Sequence, residues 1–336
     1  MLGHLDGRDN GGVRGLADRL ASVEGRLHDT VAIDGPSLAS PSRRMTGAGG
    51  KRLRPAFVIA AADCGGVFDE RVRSAAVAVE LVQAGSLVHD DLFEGAATRR
   101  GVPTINSVEG EDHALLAGDF LLARAGAEAA AAGADVAVDL AATIVALCEG
   151  QMAEMHHVHD VDRPIASYLA AIRGKTAELF ACALRSGARC AGLAGEDVGG
   201  LGRFGLHFGM AFQLLDDVLD LIADPGRLGK PVGIDIATGV YTLPVLLELA
   251  GPRGGELRRL LQRRTPTDVT IALRLLADSE HLDTALAEAR RHALLAEEAI
   301  GRLPGQAATA LRAFPATYLD WVLEHFTAPS GNRGTG

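Results

Sequence analysis

Two acidic runs carry most of the chemistry this chain could perform: Asp90-Asp91-Leu92-Phe93-Glu94 and Asp216-Asp217-Val218-Leu219-Asp220. Each gathers three carboxylates within an apolar helical pattern. Positions i and i+4 of a helix share a face, so Asp90 lines up with Glu94 and Asp216 with Asp220. Clustered carboxylates repel one another and are costly inside a protein unless cations hold them. Two such groups on separate helices point to a hard divalent ion between facing helices. Mg²⁺, held by a few carboxylates with substrate phosphate completing its shell, is the expected ion, and Mn²⁺ an expected substitute. Either run alone is commoner as a solvated surface or a helix cap. Their shared spacing favours two walls of one cavity.

Several basic segments could meet phosphate. In Gly49-Gly50-Lys51-Arg52-Leu53-Arg54-Pro55 the glycines let the backbone come close to a ligand, and Lys51 and Arg54 at i, i+3 can converge on one anion. In Thr98-Arg99-Arg100-Gly101 adjacent arginines in a turn can point in opposite directions, one to each of two phosphate groups. Gly174-Lys175-Thr176 is like the end of a P-loop but lacks its spaced glycines, which leaves Lys175 as a phosphate candidate and no more. Gly229-Lys230-Pro231-Val232-Gly233 follows the second acidic run, where Lys230 could reach back to the metal site. Taken alone, the first two read more readily as charged loop or surface. Glu154-Met155-His156-His157 has the Glu-x-x-His spacing of di-iron bundles, but that chemistry needs a second such motif and two further Glu residues, so it is set aside.

Helical periodicity dominates the elements that must position these groups. Phe204, Phe208, Phe212, Leu215, Leu219 and Ile222 form one apolar stripe, with Gln213, Asp216, Asp217 and Asp220 on an adjacent polar one. Val77, Leu81, Val88 and Leu92 likewise pack one way while Gln83, Asp90 and Glu94 fall together. The pattern predicts helices near 14–33, 51–63, 69–94, 104–131, 134–157, 164–190, 197–223, 239–250, 254–263, 267–278, 280–302 and 305–326, with no convincing strand. The expected fold class is all-α. The 336 residues contain no Pro/Gly/Ser-rich linker in their middle, which argues for one domain over 13–327 between disordered tails at 1–12 and 328–336.

A net charge of −10 makes nucleic acid an unsuitable partner, and any diphosphate would need locally placed Lys and Arg. The stretch from Ala129 to Cys148 is the most apolar, but Asp135 and Asp139 make it a poor membrane span and an expected buried helix. The first residues lack the apolar core of a signal peptide. Cys64, Cys148, Cys182 and Cys190 show no C-x-x-C spacing and are expected as small buried hydrophobes in a reducing compartment. The expectation is a soluble, cytoplasmic protein with no transmembrane segment.

Taken in order, G-G-K-R-L-R-P, H-D-D-L-F-E with T-R-R-G behind it, G-K-T, F-Q-L-L-D-D-V-L-D and G-K-P-V-G-I-D resemble the trans-isoprenyl (polyprenyl) diphosphate synthases from Gly49 to Pro244. Beyond about residue 250 the likeness is only generic helix. The resemblance implies an isoprenoid-synthase helical bundle around a deep central cavity, usually a homodimer. It implies that an allylic diphosphate ionises with three Mg²⁺ on its leaving group. The double bond of isopentenyl diphosphate then attacks, and a proton is lost to the departing pyrophosphate. By position, Asp90 and Glu94 hold Mg²⁺ with Asp91 supporting, and Asp216 holds another with Asp217 and Asp220 nearby. Arg99, Lys175 and Lys230 match groups that grip the allylic diphosphate. Lys51, Arg54, Gln83 and Arg100 match the isopentenyl diphosphate pocket, and Thr176 and Gln213 match polar groups beside the nascent cation. Two residues depart from the family pattern: Glu94 stands where Asp is frequent, and Val240 stands where many members carry a Lys.

Gly85 and Ser86 lie about one helical turn, 5.4 Å, below Asp90. In the family bulky residues there floor the cavity, so two small ones imply an all-trans product of C20 or longer. Two rival readings are a class I terpene cyclase and a non-catalytic subunit of a heteromeric synthase. A cyclase would leave Lys51, Arg54 and Arg100 without a second diphosphate and would line its cavity with aromatics, which are only 4% of this chain. A non-catalytic subunit should have lost carboxylates from one run.

Overall fold

The computed structural model describes residues 5, 13, 15–32, 36–47, 49–228 and 232–327. Among them the chain is helical apart from one two-stranded hairpin. The helices are α1 (Leu16–Val31), α2 (Pro36–Gly47), α3 (Leu53–Asp63), α4 (Glu70–Glu94), α5 (Ile105–Val108), α6 (Glu111–Ala132), α7 (Ala134–Met155), α8 (Ile165–Ile172), α9 (Glu178–Cys190) and α10 (Gly195–Ile222). They continue with α11 (Pro225–Leu228), α12 (Ile234–Thr238), α13 (Leu243–Ala250), α14 (Gly254–Arg263), α15 (Pro266–Ala277), α16 (His281–Ala299) and α17 (Gln306–Phe326). Between α8 and α9 the helix does not stop but passes through a π-helical segment, Arg173–Ala177.

The expected spans hold for the long helices because their ends carry local signals. The Asp69 carboxylate accepts from Val72 N (3.0 Å) and starts α4, and Gly95, at φ 63°, ends it with Ala96 N donating to Asp91 O at 2.9 Å. Thr265 and Asp268 form a reciprocal cap on α15 behind Pro266. The helix expected over 104–131 is instead two, broken at Gly110 with φ 93°. Helix α2 was not expected, because Pro36 and Pro41 make that stretch read as a loop. The hairpin pairs Thr98 with Pro103 and Arg99 with Val102. Its turn holds Arg100 at φ 52° and Gly101 at φ 78°, the left-handed pair a two-residue hairpin needs.

Helix α9 is central, packed on α3, α4, α7 and α10, while α4 lies along α6 and α10 along α16. Phe57, Phe180, Phe204, Phe208 and Phe314 interlock edge to face in the core, with Phe57–Phe208 centroids 4.9 Å apart and Phe180–Phe208 5.2 Å apart. These five rings are therefore packed against one another and buried, whereas Phe93 is exposed.

Three expectations about burial need correction. Helix α7 is not a core helix: only 22% of its apolar window is buried, and Val138, Val145, Met152 and Met155 face outward. It is also long and apolar enough to cross a membrane by length and composition. Cys182 and Cys190 are buried as expected, but Cys148, on the outer side of α7, is exposed and Cys64 is half-buried. Leu5, within the segment expected as a disordered tail, is fully buried, and its carbonyl accepts from Val13 N at 2.8 Å. The tail expected at 328–336 lies outside the described residues.

Candidate functional site

The last turn of α4 forms the first wall. Asp91 is buried and accepts from Arg99 Nε at 2.5 Å, while its Oδ2 is buried without a partner. Arg99 also comes within 3.6 Å of Glu94. Burial pushes the carboxyls of Asp90, Asp91 and Glu94 above the ordinary range; Lys175 and Arg99 pull Asp90 and Glu94 back down, and Arg99 does the same for Asp91. These are hard oxygen donors short of positive charge, which suits Mg²⁺. Among the described residues no three such side chains close on one point. Mg²⁺ does not require that cage, because it keeps waters and takes phosphate oxygens beside one or two carboxylates.

Lys175 sits on the π segment, and the approach that seats it there is steric. A Cβ on Gly150 of α7 would stand 2.4 Å from Lys175 N, and one on Gly174 would stand 2.6 Å from Ala146 O. Only glycines let α7 and the π segment touch backbone to backbone. Lys175 Nζ donates to Glu154 Oε1 at 2.8 Å. Burial opposes its charge, but Asp90, Glu154 and Glu94 together hold the ammonium above its ordinary value. Glu154 was set aside in the sequence as half of an incomplete metal motif, yet it acts electrostatically on both Asp90 and Asp217 and so stands between the two acidic runs. Its signal was present: Glu154 lies one turn from Gly150 on the face that meets Gly174-Lys175. His157 pairs instead with Asp160 at 2.7 Å.

The second wall is the C-terminal part of α10, and here the three aspartates differ. Asp216 is half-buried. Asp217 is buried, accepting from Tyr168 Oη (2.5 Å) and from Gln213 Nε2 (2.8 Å). Burial raises its carboxyl to about 7 against the pull of those donors. Gln213 in turn accepts from Thr176 Oγ1 at 2.8 Å. Asp220 is buried and caps α12, accepting from Ile234 N (3.3 Å) and Asp235 N (3.1 Å). Asp220 therefore differs from Asp216 in its surroundings, since the chain after α10 folds back and donates one backbone N–H to each Asp220 oxygen. Lys230 lies outside the described residues.

The basic residues divide. Gln83, Arg99 and Arg100 line one cleft together with Arg52 and Glu80. Arg99 and Arg100 reach the same cleft with different partners: Arg99 pairs with Asp91, while Arg100 donates to the Gly49 carbonyl and a Cβ on Gly50 would meet its guanidinium at 2.5 Å. Arg52, not singled out in the sequence, pairs with Glu24 and Glu80 and donates to Thr46 O at 2.6 Å. Arg54 stacks on Phe180, 4.2 Å from the ring centre, and burial lowers its pKa to about 10, with Glu80 opposing and Arg100 adding to the fall. Lys51 turns toward α17, with Nζ 3.5 Å from Tyr318 Oη.

Gly85 and Ser86 were expected to open the cavity floor together. Only Ser86, half-buried with Oγ donating to Gln83 O at 3.0 Å, is free of that correction. A Cβ on Gly85 would meet Gly118 O and Leu122 Cγ, both at 3.2 Å, so its smallness serves the approach of α4 to α6.

Residues 36–276 match the polyprenyl synthetase family. The chain is 41% identical over 239 residues to "Heptaprenyl diphosphate synthase component 2" of Geobacillus stearothermophilus, spanning 71% of this chain and 75% of that one. It is 35% identical over 291 residues to "Nonaprenyl diphosphate synthase" of Mycobacterium tuberculosis, spanning 85% and 87%. Among solved structures, a polyprenyl synthase from Caulobacter crescentus complexed with calcium and isoprenyl diphosphate superposes with a TM-score of 0.86 at 34% identity, covering 93% of this chain and 98% of that one.

Proposed function

The chain belongs to the polyprenyl synthetase family of prenyltransferases, and on that premise we propose that it condenses isopentenyl diphosphate head-to-tail with an allylic diphosphate. The observation that carries this reading is the pairing of a carboxylate site with a separate basic cleft. Asp90, Glu94 and Glu154 gather around Lys175 on one side, Gln83 and Arg100 line a cleft on the other, and Arg99 stands between, paired with Asp91. One site suits an ionising diphosphate held through cations, and the other suits a second, intact diphosphate. A cyclase has no use for the second.

Asp90, Glu94 and Asp216 would hold Mg²⁺, three ions per site on the family pattern, with Mn²⁺ as a substitute. When bound, these ions supply the charge that stabilises the leaving pyrophosphate. Lys175 exchanges Glu154 for a phosphate oxygen of the allylic substrate, and Arg99 exchanges Asp91 or Glu94. Lys230 joins them. Asp220 can contribute to the metal site while it caps α12, since each carboxylate oxygen accepts more than one contact. Lys51, Arg54, Gln83 and Arg100 hold isopentenyl diphosphate. Val240 brings no cation; Arg163 NH1 donates to the carbonyl of the next residue, Tyr241, at 3.3 Å.

The product is C20 or longer, on the strength of Ser86. The active form is a cytoplasmic homodimer. Its supporting feature is the outward apolar face of Val138, Val145, Met152 and Met155, beside exposed Leu115 and Leu116 on α6, which a second copy would cover. The alternative assembly, with an unlike subunit, is what the printed name of the Geobacillus relative suggests for that protein.

Purified chain should be incubated with labelled isopentenyl diphosphate and each allylic primer in turn, and the products sized, with light scattering on the same sample. Chain elongation that stops on chelation and returns with Mg²⁺ is expected, at the mass of a dimer. Turnover in metal-free buffer, or a cyclised hydrocarbon from one substrate, refutes the reading. Activity only on adding a second subunit replaces the homodimer with a heteromer.

A further inference from the structure

Tyr168, Asp217, Gln213 and Thr176 form one hydrogen-bonded chain. Tyr168 Oη donates to Asp217 Oδ2 (2.5 Å), Gln213 Nε2 donates to Asp217 Oδ1 (2.8 Å), and Thr176 Oγ1 donates to Gln213 Oε1 (2.8 Å). Tyr168, Asp217 and Thr176 are 1%, 4% and 7% exposed and Gln213 is half-buried, so the Tyr168–Asp217 bond is the one fully removed from solvent. The directions are dictated by the groups. Asp217 Oδ1 accepts whether or not Oδ2 carries a proton, so Gln213 must turn its amide nitrogen to it. Its carbonyl then faces Thr176 and can only accept from that hydroxyl. The Thr176 proton is committed to Gln213, and what remains for a ligand is the oxygen's lone pairs.

The π segment makes this chain possible. Eight residues of regular helix separate the faces of Tyr168 and Thr176 by about 80°. A π turn takes in one extra residue without its usual rotation of about 100°, which leaves the two roughly 20° apart. Both side chains then face α10, where Gln213 and Asp217 stand at i, i+4. Behind Tyr168, Arg163 lies 5.6 Å from the ring centre, itself buried.

We propose that Tyr168 and Asp217 are positioning residues that set the hydrogen-bond polarity of Thr176, so that its oxygen offers lone pairs, and not a proton, to the electron-poor allylic carbon. This rests on the prenyl-transfer reading above. A hydroxyl oriented in advance stabilises charge as it develops, with no reorganisation during the reaction. Turned the other way, its proton opposes the same charge. Asp217 on this account holds no metal, and Asp216 does.

The test is a swap along the chain. In Asp217→Asn the new amide still accepts from Tyr168 but donates toward Gln213, which flips and turns its nitrogen on Thr176, inverting the hydroxyl. In Gln213→Glu two carboxylates face each other. In the double variant, Asn at 217 donates to Glu at 213, which accepts from Thr176, so polarity and net charge both return. Each single substitution should lower kcat by roughly 10- to 100-fold, the scale of a mispaired buried polar group, with KM for isopentenyl diphosphate and the Mg²⁺ requirement unchanged. The double variant should recover about 10-fold over the better single, the signature of a directly coupled pair. A double variant no faster than the better single, with wild-type circular dichroism, overturns the proposal. Should the double variant not fold, Tyr168→Phe decides: a fall in kcat at unchanged KM supports the chain, and unchanged kcat overturns it. Failure of the unmodified protein to transfer a prenyl group strikes the underlying reading instead.

Discussion

Ser86→Phe and Gly85→Ala separate two reasons for a small residue on one helix. Ser86 lies one turn, about 5.4 Å, below Asp90, so a Phe ring there would stand in the path of a growing chain. The carboxylates are untouched, so turnover should persist while the product shortens by one or more five-carbon units. At Gly85 the neighbour is α6: an added Cβ meets Gly118 O and Leu122 Cγ at 3.2 Å, and a backbone carbonyl cannot swing aside. Alanine favours the helix by about 1 kcal/mol over glycine, while crowding a packed interface costs about 1–3 kcal/mol, a net loss of roughly 0–2 kcal/mol. Gly85→Ala should therefore lower the melting temperature slightly, or leave it unchanged, and keep the product length. The assay is chromatographic sizing of labelled products beside thermal melts of the same samples. An unchanged length distribution in Ser86→Phe puts the floor elsewhere and removes the support for C20 or longer. Shorter products from Gly85→Ala at wild-type stability refute the packing account of that glycine.

Asp90→Ala and Asp216→Ala should each lower kcat at least ~100-fold, the scale for losing one electrostatic stabiliser, with helical content by circular dichroism intact; near-normal turnover in either rules out the two-wall site. Lys51→Ala and Arg54→Ala should raise KM mainly for isopentenyl diphosphate and Lys175→Ala for the allylic substrate, so steady-state kinetics showing the same shift in all three would merge the two proposed pockets. Acid titration offers a metal-free check. Burial raises the Asp90 carboxyl, and a raised group adds stability below its unfolded pKa that is lost as pH climbs through the folded one. Without metal, Asp90→Asn should therefore melt higher than wild type at pH 7, with the gap closing toward pH 4; a gap that widens on acidification contradicts the assignment of burial as the dominant cause.

Much of this protein is written locally. The spans of α4 and α10 follow from stripes such as Phe204, Phe208 and Leu215, and their ends from residues such as Asp69 and Gly95, because a helix is decided by neighbours three and four residues away. The same locality places Asp90 with Glu94, and puts Arg99 and Arg100 in a turn that gives them different partners. Joined in order, those motifs were enough to indicate the family.

What the linear pattern could not decide is what each helix meets. Asp216, Asp217 and Asp220 look alike in one run, yet one is half-buried, one is locked between Tyr168 and Gln213, and one caps α12. Within four residues only Gln213 sets Asp217 apart; the other partners arrive from α8 and from the chain after residue 231. Gly85 and Ser86 are adjacent and equally small, but only the position of α6 gives the glycine its reason. Glu154 gained its place through the contact of Gly150 with Gly174, and the apolar length of α7 could not say whether its outer face would be buried or left for another surface. Local spacing selects the helices and the reactive groups they carry; the partners of those groups come from distant segments, and only tertiary packing brings them together.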